Sequence, residues 1–134
     1  MKTIGIIGGG QLGQMMAISA TYMGHKVITL DPDPNCPASL VAEQIVAKYD
    51  DTAAIAKLAA RADVLTYEFE NVSADALAPY EDKLPQGLDL LRISQNRIFE
   101  KDFLTKAGVK VAPYTVINTL EDLNDLDLSK KHVV

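Results

Sequence analysis

Near the amino terminus, a β-branched run from Thr3 to Ile7 passes straight into Gly8-Gly9-Gly10-Gln11-Leu12-Gly13. Gly8, Gly10 and Gly13 therefore stand in the spacing G-x-G-x-x-G, and Gln11 to Met23 follows with a helical pattern. This spacing predicts a strand, a tight turn and a helix start. The first glycine lets the backbone reverse, the second lets a ligand approach the main chain, and the third lets helix and strand pack closely. A helix start also offers unpaired N–H groups and the positive end of its dipole to an anion. The spacing alone is a weak signal, and its place at the first strand-to-helix junction strengthens it. Two readings stand: a glycine-rich turn with no ligand, and the better-supported one, a phosphate site whose compound stays open.

The rest of the chain alternates strands and helices. Lys2 to Ile7, Lys26 to Leu30, Gln44 to Lys48, Asp63 to Tyr67 and Leu88 to Ile93 read as strands. The nearly continuous apolar character of the first suggests burial on both faces, as in a parallel sheet. On the first helix Leu12, Met15, Met16, Ser19, Ala20 and Met23 form one stripe, read as core filling, and Gly24 stands at the expected stop. Pro32, Pro34 and Pro37 make a stiff loop, and Ala38 to Glu43 has room for one helical turn. Asp51 or Thr52 caps a helix to about Arg61, Ser73 a short helix to about Ala78, and Ser94 a helix ended by Gly108. Val109 to Ile117 reads as extended around Pro113, Thr119 starts a helix through Leu120, Leu123 and Leu126, and His132-Val-Val134 opens a further strand.

Composition narrows the class. The chain has 134 residues, 48% hydrophobic and 23% charged, as expected of a globular domain with one core. Thirteen basic against eighteen acidic residues give a net charge of −5 without a basic cluster, which argues against nucleic acid and anionic membrane as partners. No stretch approaches the roughly 20 apolar residues of a membrane span, and no leader pattern precedes the first strand. Cys36 is the single cysteine, so an internal disulfide is impossible, which suits a cytoplasmic protein.

Alternating βα units imply an open parallel sheet with helices on both faces, in which ligands sit beyond the carboxyl ends of the strands. The glycine turn, Asp31 and Glu68-Phe69-Glu70-Asn71 each follow a strand, so the fold gathers them on one edge. Asp31 either holds ribose hydroxyls of a dinucleotide or starts a turn before Pro32. Glu68 and Glu70 straddle Phe69, so an extended backbone would point both the same way, toward an amine, hydroxyls or a cation; the alternative is a solvated acidic loop. Arg97, four residues before Lys101, either belongs to a solvated basic face or meets a phosphate with its guanidinium fork. His25 and His132 show no catalytic spacing with Cys36.

Read together, Gly5 to Gly13, Leu30-Asp31-Pro32 with Cys36-Pro37-Ala38, Thr66-Tyr67-Glu68-Phe69-Glu70-Asn71-Val72, and Asn96-Arg97 with Glu100-Lys101 resemble one family in order. It is the ATP-dependent 5-(carboxyamino)imidazole ribonucleotide synthetases of purine biosynthesis, which are ATP-grasp ligases. The resemblance spans nearly the whole chain, and its Thr-Tyr-Glu-Phe-Glu-Asn stretch is far more specific than the glycine motif. It implies a Rossmann-like pre-ATP-grasp domain over residues 1–110 and the incomplete start of an ATP-grasp domain over 111–134.

It also implies the reaction: ATP phosphorylates bicarbonate to carboxyphosphate, and the amine of aminoimidazole ribonucleotide takes up the carboxyl group, with magnesium on the ATP phosphates. By resemblance, Gly10, Gln11 and Leu12 form the substrate-facing turn. Glu68, ahead of Glu70 and with Asn71, contacts the ribonucleotide, and Arg97 reaches ATP. The family's adenine-clamping lysine, glycine-rich lid and magnesium carboxylates would lie beyond Val134. The resemblance thus implies a fragment without catalytic or metal-ligating residues of its own, inactive alone and holding no cofactor tightly. Self-pairing into a homodimer stays open. Two other classes remain: an NAD(P)-binding dehydrogenase domain with Asp31 on the ribose, and a non-catalytic nucleotide-sensing module.

Overall fold

The computed structural model describes residues 1–124, in two compact units, Met1–Arg97 and the stretch from Ile98 onward. Among the described residues of the first unit, four strands make one sheet: β1 (Thr3–Ile7), β2 (Lys26–Asp31), β3 (Glu43–Val46) and β4 (Val64–Tyr67). All neighbours are parallel, in the order β3-β2-β1-β4. The chain runs outward from β1 to β3, then crosses back to place β4 on the other side of β1. That reversal is the switch point at which open α/β sheets bind ligands.

Both faces of the sheet are covered, because neighbouring strand residues point to opposite sides. Ile6 and Val27 pack with Ala17 and Ala20 of α1 (Gln11–Tyr22) on one face. Ile7, Ile28, Leu30 and Leu65 pack on the other with Ile55 and Leu58 of α2 (Thr52–Arg61) and Leu77 of α3 (Ala74–Leu77). Local chemistry places the helix ends. Asp51 accepts from the Ala54 N–H and Ser73 from the Ala76 N–H, as capping side chains do. Lys83 donates to the carbonyls of Ala59 and Ala62 at 2.7 and 2.8 Å, satisfying the far end of α2. Pro37–Leu40 forms a single 3-10 turn where a helical turn is predicted.

Of the predicted stripe only Ala20 and Met16 face the core; the buried residues of α1 are Gly13, Ala17 and Ala20, whereas Leu12, Met15 and Met23 are 60%, 62% and 66% exposed. Small residues spaced four and three apart let the helix pack closely on the sheet, and at Gly13 a side chain would meet the Gly8 carbonyl.

The predicted fifth strand is a helix. Leu88 and Leu91 are buried while Leu90 is 62% exposed, a period of three, and α4 runs from Asp89 to Ser94. Leu88 and Leu91 pack in the core with Leu84 from the loop before the helix, and the denser apolar run hides their spacing of three. Ser94 consequently closes α4, its hydroxyl donating to the Leu91 carbonyl, and does not cap the next helix. That helix, α5, begins at Arg97 and extends to Lys106.

In the second unit α5 ends as predicted at Gly108, whose φ is 76°. Lys101 sits 5.1 Å over the ring of Tyr114, and the Tyr114 hydroxyl donates to Asp102. The predicted helix from Thr119 is reduced to a 3-10 turn at Glu121–Leu123, held by Asp122, which accepts the N–H groups of Asn118 and Thr119. Leu126 and the predicted strand at His132 lie outside the described residues. No helix among the described residues is long and apolar enough to cross a membrane.

Candidate functional site

The register of the sheet brings the site together. Ile7 is paired with Leu30 on one side and with Tyr67 on the other, so the residues that follow β1, β2 and β4 emerge side by side. Gly8 takes the turn with φ 108° and donates to the Leu30 carbonyl, and the Glu68 N–H donates to the Ile7 carbonyl at 3.2 Å. A side chain on Gly13 would fall on the Gly8 carbonyl, so the third glycine serves close helix–strand packing as the spacing predicts.

What approaches Gly10 is the half-buried side chain of Glu68. Its Oε1 lies 2.9 Å from where a Gly10 β-carbon would be, and its Oε2 accepts the Gly13 N–H. The anion at the start of α1 is therefore the chain's own carboxylate, favoured there by the unpaired N–H groups and the helix dipole. A phosphate could enter this turn only by displacing it. Held by one edge and half exposed, the carboxylate can accept hydrogen bonds from hydroxyls or an amine.

Asp31 is 5% exposed and fully engaged. Its Oδ2 accepts the Gly9 N–H at 2.7 Å and the Tyr49 hydroxyl at 2.6 Å, and its Oδ1 accepts the Asp33 N–H at 2.9 Å. The turn reading of Asp31 describes its geometry, with a hold on the glycine turn added. Burial, reinforced by Asp31, raises the Tyr49 phenol well above its ordinary pKa, so it stays a donor. Cys36 packs against Gly9, its thiol also shifted up by burial. His25 accepts from the Lys2 N–H at the amino end of β1, the end of the strand opposite Gly9 and Cys36.

The other predicted residues take different positions. Gln11 and Leu12 are exposed in the first turn of α1. The backbone bends after Tyr67, so strand alternation stops and Glu68 and Glu70 do not share one environment: Glu70 is exposed. Asn71 is exposed beside a cavity of about 290 Å³ lined also by Pro32, Lys48, Tyr49, Asp50 and Ser73. A larger groove of about 780 Å³, lined by Thr3, His25 and Lys26 among others, carries none of the candidate residues. Arg97, exposed, closes the first unit and starts α5.

Sequence reasoning missed two side chains that organise the site. Tyr49 joins Asp31 to Phe69, its ring 4.9 Å from the Phe69 ring in an edge-to-face contact. Gln95 donates to the carbonyls of Glu70 and Val72, pinning the acidic loop. Tyr49 comes just after β3, on the edge where the glycine turn, Asp31 and Glu68 lie, and that position was a usable signal; Gln95 gave none. Among the described residues, no group of three or more His, Cys, Asp or Glu is placed to hold a metal ion.

These features define a Rossmann-like α/β domain whose glycine turn, at the switch point, is filled by a carboxylate from the neighbouring strand end. The chain belongs to the ribonucleotide synthetase preATP-grasp domain family, whose family model matches residues 1–87. A curated relative, the N5-carboxyaminoimidazole ribonucleotide synthase of Bacillus subtilis, is 52% identical over 123 residues, covering 90% of this chain and 32% of the relative. The crystal structure of N5-carboxyaminoimidazole synthetase from Staphylococcus aureus complexed with ADP superposes with TM-score 0.88 at 49% identity, over 92% of this chain and 34% of that one. The Aspergillus clavatus N5-carboxyaminoimidazole synthase, in complex with ADP and 5-aminoimidazole ribonucleotide, gives TM-score 0.81 at 31% identity, over 92% and 34%. The chain spans about a third of the length of these relatives.

Proposed function

We propose that this chain is the amino-terminal, ribonucleotide-facing part of an ATP-dependent ligase that carboxylates 5-aminoimidazole ribonucleotide with bicarbonate, through carboxyphosphate, in cytoplasmic purine biosynthesis. The observation that carries the proposal is the Glu68 carboxylate seated in the glycine turn at the switch point. An acceptor held by Gly13 and open on one edge suits the hydroxyls and amine of a ribonucleotide. The relatives support the choice of ligand, one of them having been solved with ADP and 5-aminoimidazole ribonucleotide. Gly10, Gln11 and Leu12 form the substrate-facing turn, Asn71 and Glu70 border the site, and Arg97 reaches toward ATP.

In this reading residues 1–110 are the pre-ATP-grasp domain and 111–134 begin the ATP-grasp domain. Magnesium on the ATP phosphates would offset charge as the phosphoryl group moves. The described residues offer no ligand set for it, so they do not fit that role. This chain's part is to bind and orient the ribonucleotide. A dinucleotide reading is weakened by Asp31, whose carboxylate is already engaged with Gly9, Tyr49 and Asp33 and has little left for a ribose.

The test joins this chain to the part of the Bacillus subtilis relative that follows the matched segment. The chimera is expected to release ADP only when bicarbonate and 5-aminoimidazole ribonucleotide are both present, and the 134-residue chain alone to release none. A folded chimera with no ribonucleotide-dependent ADP release, alongside saturable micromolar NADH binding by the chain, would overturn the proposal.

A further inference from the structure

Tyr49 touches both polar stretches that meet at the switch point. Its hydroxyl donates to Asp31 Oδ2 at 2.6 Å, the oxygen that also accepts the Gly9 N–H at 2.7 Å. Its ring meets Phe69 edge to face, at an interplanar angle of 74°, and Phe69 is the chain neighbour of Glu68. One side chain thus reaches the glycine turn through Asp31 and the acidic loop through Phe69.

We propose that Tyr49 is a positioning residue that fixes the glycine turn relative to the Glu68 carboxylate, and thereby the geometry offered to the ribonucleotide; the last part rests on the functional reading above. A buried carboxylate must have its acceptor sites filled, and here three donors fill them. Without the phenol, Oδ2 keeps only the Gly9 N–H and the carboxylate can turn about its terminal torsion, which is broad for aspartate. The turn that carries Gly10 then keeps its bonds to Leu30 and Asp31 but rests on a less firmly held carboxylate. The ring contact acts separately, since edge-to-face pairs contribute beyond the area they bury. It holds the loop at the height where Glu68 meets the Gly13 N–H.

The two contacts can be removed one at a time in the 15N-labelled chain. Tyr49→Phe deletes the hydroxyl and keeps the ring on Phe69; Phe69→Leu does the reverse. Tyr67→Phe is the control, because that hydroxyl donates to the Gly87 carbonyl, outside the turn. Tyr49→Phe is expected to shift the Gly9 amide proton and speed its exchange about tenfold, because the carboxylate that accepts from Gly9 has lost the donor that fixes it. Phe69→Leu is expected to move Gly13 and leave Gly9. By calorimetry, affinity for 5-aminoimidazole ribonucleotide is expected to fall about three- to tenfold in each, and not in Tyr67→Phe. Gly9 and Gly13 amides that stay within the spread of the control overturn the proposal, as does unchanged ribonucleotide affinity when those amides have moved. If the parent chain binds no ribonucleotide, the functional reading falls, and the amide signals alone decide whether Tyr49 positions the turn.

Discussion

The Glu68 carboxylate stands so close to Gly10 that a β-carbon there would lie 2.9 Å from Oε1. The closeness follows from the sheet. β1 and β4 are parallel neighbours with Ile7 paired to Tyr67, so the next residues, Gly8 and Glu68, leave the two strands together. A helix start then supplies the N–H groups that make this an acceptable place for a charge. The same feature that would attract a ligand phosphate is satisfied from within, and what the site presents outward is a carboxylate edge.

Two glycines of the turn are expected to differ in what they tolerate. A methyl on Gly13 meets the Gly8 carbonyl, which is backbone and cannot move aside; Gly13→Ala should cost about 2–3 kcal/mol, in the range of overpacked sites. A methyl on Gly10 meets the end of a flexible side chain, so Gly10→Ala should cost under about 1 kcal/mol and push Glu68 out of the turn. Urea unfolding of both variants checks this, and equal losses would contradict it.

If Glu68 is the acceptor for the ribonucleotide, Glu68→Gln should weaken 5-aminoimidazole ribonucleotide binding about tenfold or more, since a hydrogen bond to a charged group is among the stronger ones. Glu70 is exposed, so Glu70→Gln should leave affinity within about twofold. Calorimetric titration of the two variants side by side gives the comparison. Equal effects would mean the acidic loop acts only through its overall charge.

How much of this was legible in the sequence depends on what kind of contact was being read. The β1 turn, the Asp51 and Ser73 caps and the stop at Gly24 were readable because each is local: a residue type satisfies its own neighbours. The meeting of Gly10 and Glu68 was readable because parallel topology dictates it. The fifth strand was misread because Leu88 to Ile93 has apolar residues at both helical and alternating spacings, and burial against Leu84 decides between them. The face of α1 was read only in part, through Met16 and Ala20, because size was taken for burial at Leu12, Met15 and Met23, while the small Gly13 and Ala17 complete the packed face. Gln95 was missed because its partners are far away in sequence and nothing local requires it; Tyr49 has equally distant partners, and only its place after β3 pointed to it.

The helical assignment of α4 carries its own test. Leu91 is 1% exposed and Leu90 is 62% exposed, although they are adjacent. Leu91→Ala should cost about 2–5 kcal/mol through lost burial and the cavity left behind. Leu90→Ala should stay within about 0.5 kcal/mol. A strand packed on one face would also separate neighbours, so a third variant is decisive: Leu88→Ala, three residues before Leu91, should match Leu91→Ala, whereas strict alternation would set 88 and 91 on opposite faces. Chemical denaturation of the three reads out the period directly.

In the second unit, the Asp122 carboxylate is held below the usual carboxylate range, first by the Asn118 N–H, then by the Thr119 N–H. The sign is that of a depressed acid: the ionised form is the one the turn binds. Its stabilisation is fully present above the unfolded aspartate value of about 3.9 and is lost as pH falls through the lower folded value. Following the amide shifts of Asn118 and Thr119 between about pH 6 and pH 2 should give a single titration with a midpoint below that unfolded value. In Asp122→Asn the step should vanish, because the amide does not ionise. A midpoint at or above the unfolded value would mean that the two N–H groups do not hold the carboxylate, and the 3-10 turn at Glu121–Leu123 would need another explanation.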